Sequence, residues 1–221
     1  MQMLVRSART VLDSPLLVLL MACTTLYVTC HSTPLFLWIS LVVSIILTPA
    51  IYGRFAQVMT NERPSALFRL FARHGFNFYV VVALFFVPVV ITAFWARKDL
   101  ATAVMNIGFA VAQVLLIYIL PGVFLMRSPV EAITSGLAFL GKNVLPSLPL
   151  IGLALFNPLL HLAIPSAWIA LDLSSVRAAA RTLPLALLYN IALSAVTLTL
   201  FVAAGRTLRG IPHDERSSNA N

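Results

Sequence analysis

The stretch GFNFYVVVALFFVPVVITAFWA, Gly75–Ala96, contains no charged side chain. A helix rises 1.5 Å per residue, so about 20 mostly apolar residues match the ~30 Å hydrocarbon core of a bilayer. The stretch is long enough to cross a membrane as one helix. Five further apolar stretches of spanning length begin near Pro15, Leu35, Ala103, Val144 and Pro184. Of the 221 residues, 60% are hydrophobic and only 10% are charged. The expected fold is therefore an all-α integral membrane helical bundle of about six transmembrane helices, accompanied by short amphipathic interfacial helices. Residues 1–204 read as a single polytopic transmembrane domain and residues 205–221 as a polar cytoplasmic tail. The connections are too short to form a second core, since independent domains rarely fall below ~40–50 residues.

Charge sets the expected orientation. With the N-terminus inside, the inner segments hold Arg6, Arg9, Arg54, Arg63, Arg69, Arg73, Arg127, Lys142, Arg206, Arg209 and Arg216. The outer segments hold Arg97, Lys98, Arg177 and Arg181. Eleven against four follows the positive-inside bias, so both termini are expected in the cytoplasm of a bacterial inner membrane. The same bias accounts for the net charge of +8 without nucleic acid, and no nucleic-acid-binding motif is present. Trp38, Trp95 and Trp168 then fall at the outer boundary with Tyr27, and Tyr52 and Tyr79 at the inner one, as an aromatic belt.

Three short segments read as surface helices: Met1–Leu12, Ser65–His74 and Pro129–Gly141. In the first, Met3, Leu4, Ala8, Val11 and Leu12 share one side and Arg6 and Arg9 approach the other. Asp13-Ser14-Pro15 ends it and restarts the chain, since proline suits a first helical position. Pro88 is expected to kink the third span. The fifth, with Pro146, Pro149, Gly152 and Asn157-Pro158, is the richest in breakers. Ser166–Thr182 reads as a separate outer segment before a sixth span from Pro184 to Ala204.

The order of short basic helix, outward span and returning span occurs three times and raises a threefold pseudo-repeat. Its local marks are Gly75-Phe76-Asn77 and Gly141-Lys142-Asn143, following helices led by Pro64 and Pro129. Over roughly residues 50–206 this pattern resembles a group of bacterial polytopic membrane proteins. The group includes the membrane domain fused to some glycerophosphodiester phosphodiesterases. The resemblance implies an all-helical membrane module that assists another component. The phosphodiesterase activity is not carried over, because these residues include no hydrolase domain.

Enzyme motifs such as GxSxG, HExxH and the P-loop are absent. All seven acidic residues lie in connections or tails, which leaves no carboxylate pair for intramembrane proteolysis or proton relay. Cys23 and Cys30 lack metal-binding spacing, and buried free cysteine commonly packs as a small hydrophobe. No catalytic residue, metal or cofactor is expected. The polar residues inside the spans are Asn77, Asn106, Gln113, Asn157, His161 and Asn190. Their commoner role is interhelical hydrogen bonding. Asn157 and His161 are the candidate intramembrane polar site: Pro158 frees the Ala154 carbonyl, and His161 lies one turn beyond Asn157. Arg69 and Arg73, spaced i, i+4, are the candidate lipid-phosphate contacts. Arg177 and Arg181 repeat that spacing on the outer side, where a solvated face is commoner.

Two functions compete. One is a non-enzymatic accessory or scaffold component of the cytoplasmic membrane, with membrane lipids and another membrane protein as partners. The other is a small permease or a solute- or lipid-binding subunit of a transporter.

Overall fold

The computed structural model describes residues 2–25, 30–31, 34–126, 128–163, 171–172 and 175–210. Side chains are described at all of these except 25, 30–31, 34–40, 98–99, 157–158, 160–163, 171–172 and 176. The architecture is all-helical, with α1 (Gln2–Leu12), α2 (Pro15–Thr25), α3 (Pro34–Thr60), α4 (Leu67–Trp95), α5 (Lys98–Leu125), α6 (Pro129–Lys142), α7 (Val144–Ala163) and α8 (Val176–Arg209). Cys30–His31 and Leu171–Asp172 form a two-residue parallel bridge, too short to make a sheet layer.

Four segments are each long and apolar enough to cross a membrane: Leu41–Thr60, Leu67–Trp95, Leu100–Leu125 and Arg177–Arg209. Two more crossings exist only if bent pairs count as single spans. Gln2–Leu12 and Pro15–Thr24 meet at 83°, and Pro129–Lys142 and Val144–Phe156 meet at 111°. The protein is thus a multi-pass membrane protein with four to six spans. The central helix is α5, half of whose spanning window is buried, whereas only 17% of the α4 window is. The outer face of α4 carries Phe76, Leu84, Val87, Ile91, Phe94 and Trp95, all exposed as lipid contact requires.

Several expected breaks do not occur. The surface helix expected over Ser65–His74 is not separate, because the chain is helical from Leu67 straight into the span. No cap or proline interrupts His74-Gly75-Phe76, so the backbone ladder continues. Pro88, where a kink and not a break is expected, lies within continuous α4, and Thr92 Oγ1 donates to its carbonyl at 2.8 Å. Pro184 lies within α8, which starts at Val176 rather than at Pro184 and absorbs the end of the expected outer segment. Ser175 caps it, its Oγ accepting the Ala178 N–H at 3.1 Å. Proline is tolerated inside spanning helices because neighbouring groups restore the freed backbone bonds. At its other end α8 runs through Gly205 to Arg209, so the first turn of the expected tail is packed helix.

The breaks that do occur have local causes. Helix α3 ends with Asn61 at φ 55°, and the Glu62 N–H donates to the Gln57 carbonyl at 3.0 Å. That is a Schellman stop, in which asparagine accepts the left-handed position that glycine usually takes. The Gln57 side chain then fastens the turn. Its Nε2 donates to the Arg63 carbonyl and Ser65 Oγ, and its Oε1 accepts the Ser65 N–H, at 3.1, 2.9 and 3.1 Å. Helix α6 starts at Pro129 under Ser128, whose Oγ accepts the Glu131 N–H at 3.1 Å. It stops at Asn143, whose Nδ2 donates to the Phe139 carbonyl at 3.1 Å.

The core is aromatic where four helices converge. Tyr52 of α3, Phe78 of α4, Phe124 of α5 and Phe201 of α8 are all buried. The Tyr52–Phe201 and Tyr52–Phe78 ring centroids are 4.7 and 5.6 Å apart, and Phe124–Phe201 are 5.6 Å apart edge to face. Such pairs contribute about 0.5–1.5 kcal/mol each beyond area burial. Tyr52 is 4% exposed, so it belongs to this core and not to an inner aromatic belt. Tyr79 is half-buried and its hydroxyl donates to the Ile45 carbonyl at 3.0 Å. Trp95 is 82% exposed at the far end of α4, as a belt residue would be. The side chains of Tyr27, Trp38 and Trp168 lie outside the described residues.

The order short helix, apolar helix, long helix is present as α1–α2–α3 and as α6–α7–α8. The middle unit departs from it by fusing its short helix into α4. The two matching triplets also differ in setting. Gly75 lies within α4 with the Phe71 ring in the space a Cβ would take, whereas Gly141 ends α6 with nothing within 4 Å.

Candidate functional site

The two polar positions singled out in the fifth span fall in α7. Its backbone is helical from Val144 to Ala163, so the helix is not broken at Asn157-Pro158. The break lies 14 residues earlier, where α6 turns into α7 at Asn143. The side chains of Asn157 and His161 lie outside the described residues. Buried Asn190 satisfies its Nδ2 on the Ala186 carbonyl at 2.8 Å, the helical back-bond of a structural amide. Asn77 and Asn106 are half-buried. Cys23 is exposed on α2 and is therefore not the packed small hydrophobe expected. Among the described residues, no three His, Cys, Asp or Glu side chains come together to hold a metal ion.

Gln113 lines a partly open cavity of about 130 Å³ with Tyr52, Phe86, Ala154, Thr197 and Phe201, bordered by α3, α4, α5, α7 and α8. The walls are mostly apolar. Thr197 Oγ1 is committed to the Leu193 carbonyl at 2.9 Å. Pockets for drug-sized ligands are typically about 300–1,000 Å³. The cavity therefore suits a small apolar group better than a polar solute.

The charged side chains gather elsewhere. The buried side of α1 is not purely apolar, because Ser7 is 0% exposed on it while Leu12, expected on the apolar face, is exposed. Burying a hydroxyl requires a partner, and Ser7 has one. Arg206, at the end of α8, directs Nη1 to Ser7 Oγ at 3.4 Å and Nη2 to Thr10 Oγ1 at 2.8 Å. Thr10 in turn donates its own proton to the Arg6 carbonyl at 3.0 Å. These contacts clamp α1 across the end of α8. Between the two helices lies a groove of about 620 Å³ lined by Gln2, Met3, Arg6, Arg9, Thr10, Asp13 and Arg206. Arg6 and Arg9 are exposed and Arg206 is half-buried.

A second groove, of about 480 Å³, shares Asp13 with the first and is lined also by Arg54, Gln57, Glu62 and Pro64. It places the α3–α4 turn at the same end of the bundle as the groove beside α1. Arg69 and Arg73 begin α4 beside that turn, one helical turn apart and both exposed. His74 beside them packs on Phe124, with ring centroids 5.0 Å apart.

Sequence spacing singled out Arg69 and Arg73 but not the arrangement around Arg206. The residues that meet there are 196 and 199 positions apart, and no periodicity links them. The available signal was the serine and threonine on an otherwise apolar and basic helix. Comparison with known proteins finds no matching family model, no matching curated protein and no matching solved structure.

Proposed function

We propose that this chain is a non-enzymatic accessory or scaffold component of the bacterial cytoplasmic membrane, with both termini on the cytoplasmic face. Its partners on this reading are membrane lipids and another membrane protein. The observation that carries the reading is the aromatic packing at the centre of the bundle. Tyr52, Phe78, Phe124 and Phe201 fill the point where α3, α4, α5 and α8 meet. A bundle locked by aromatic packing suits a fixed platform better than a pathway that opens alternately to two sides. The orientation rests on the bias of eleven basic residues against four. The grouping of Arg6, Arg9, Arg54, Arg69, Arg73 and Arg206 at one end of the bundle supports it.

The small cavity beside Gln113 and Thr197 favours a second reading, a small permease or a solute- or lipid-binding subunit of a transporter. The two readings separate on purification of the chain in native lipid discs, followed by mass spectrometry of retained proteins and small molecules. A partner protein in fixed stoichiometry supports the accessory role. A specific solute retained without any protein, and lost on Gln113→Leu, replaces that role with the second reading.

A further inference from the structure

We infer that the groove between α1 and the end of α8 is a binding site for a phosphate-bearing anion, formed by Arg6, Arg9 and Arg206. Three arginines line one open groove of about 620 Å³, with Asp13 the one acidic residue among its lining. Among the described residues, no ion pair to any of the three arginines is present. Guanidinium presents five N–H donors and is always charged, so it matches phosphate oxygens in fork geometry. Arg206 uses two of its donors on Ser7 and Thr10, which fixes the planar group at the wall of the groove and leaves the others unspent. An anion arriving there meets a cation already oriented, and less side-chain freedom is lost on binding. Thr10 is no donor to such a ligand, because its proton is on the Arg6 carbonyl.

The position selects the kind of phosphate. The groove lies at the end of a spanning helix and is flanked by a short helix with basic residues and exposed apolar ones, Val5 and Leu12. A headgroup at the membrane surface reaches it without leaving its bilayer. A free phosphate anion shares the chemistry and is the other source. The inference stands whether the chain is a scaffold or a carrier, since it concerns the membrane surface and not the interior.

The test uses the full chain in discs of phosphatidylcholine containing phosphatidylglycerol, with retained lipid read by native mass spectrometry. The unmodified chain should hold phosphatidylglycerol in preference to phosphatidylcholine, and added salt should erase that preference. Arg6→Gln together with Arg9→Gln should weaken retention roughly thirtyfold, the loss of two charges near an anionic surface. Arg177→Gln with Arg181→Gln, at the opposite end of α8, should weaken it far less. In a parallel arm, inorganic phosphate is titrated into the lipid-free protein in detergent. Binding there that disappears in the Arg6, Arg9 double variant, without a lipid preference in discs, assigns the groove to a soluble phosphate. Equal retention in both double variants, or a preference that ignores salt, would overturn the site. The salt arm needs no mutation, so the inference is tested even if a variant fails to fold.

Discussion

Two corners of this molecule share a sequence pattern and are held together differently. At one, α1 turns into α2 through 83°, and at the other α6 turns into α7 through 111°. In each a short helix precedes an apolar one. Helix α1 is held on α8 by side chains, with Arg206 reaching Ser7 and Thr10, and Thr207 Oγ1 meeting Met3 Sδ at 3.1 Å. Helix α6 is held on α5 by backbone. Ala132, Gly136 and Leu140 form its buried face, one residue per turn. A Cβ at Gly136 would lie 2.9 Å from the Ile119 nitrogen, and one at Gly122 would lie 3.1 Å from the Ala132 Cβ. Close approach through small residues is the usual means of joining helices in lipid. One corner is therefore a charged clasp and the other a steric fit, and they should fail under different insults.

The largest expected effect is on the steric corner. Gly136→Ala drives a methyl group into the Ile119 backbone and should destabilise by about 2–3 kcal/mol, outweighing the better helix propensity of alanine. Thermal unfolding in detergent reads this, and an unchanged melting temperature would remove the steric account of α6. Next comes the clasp. Arg206→Gln should cost about 1–2 kcal/mol, since its bonds are charge-assisted but only half-buried. Amide exchange should rise across Gln2–Leu12 alone. Exchange rising equally in α6 would show that the two corners are not independent.

A smaller effect is expected at the bond that joins α5 to α7. The Tyr118 hydroxyl and Ser147 Oγ are 2.8 Å apart and buried. Tyr118→Phe should cost about 1 kcal/mol, and adding Ser147→Ala should recover part of that by removing the unpaired hydroxyl. A double-mutant cycle with no coupling would show that α7 is held by packing alone. The smallest effect, with opposite sign, belongs to Gly152→Ala. Nothing lies within 4 Å of a Cβ there, so the change should stabilise α7 by up to about 1 kcal/mol through helix propensity. Destabilisation at Gly152 would reveal a neighbour beyond the described residues.

The apolar runs were legible because hydropathy depends on local composition alone. The bend at Asp13-Ser14-Pro15 was legible for the same reason, since a cap residue and a first-turn proline stand side by side. Where helices join or break was less legible. Pro49, Pro88, Pro121 and Pro184 all sit inside continuous helices, and proline alone could not distinguish them from the break at Asn143. Packing decides such cases. The clamp at Arg206 was illegible because it depends on two helix ends meeting, which no window of sequence contains. Gln57 was overlooked because it sits one turn before a helix end, where a glutamine ordinarily faces water. Of the candidate residues, Arg69 and Arg73 lie on one exposed edge as their i, i+4 spacing requires.

Helix α8 is 34 residues long, or about 51 Å, against a hydrocarbon layer of ~30 Å. Its apolar part, Leu183–Ala204, accounts for about 33 Å of that length. The turns bearing exposed Arg177 and Arg181 must stand clear on one side, and Arg206 and Arg209 mark the opposite limit. The helix is in effect a caliper fixed at both jaws. A thinner bilayer would tilt it, and α1, hung from its lower jaw, would be carried along.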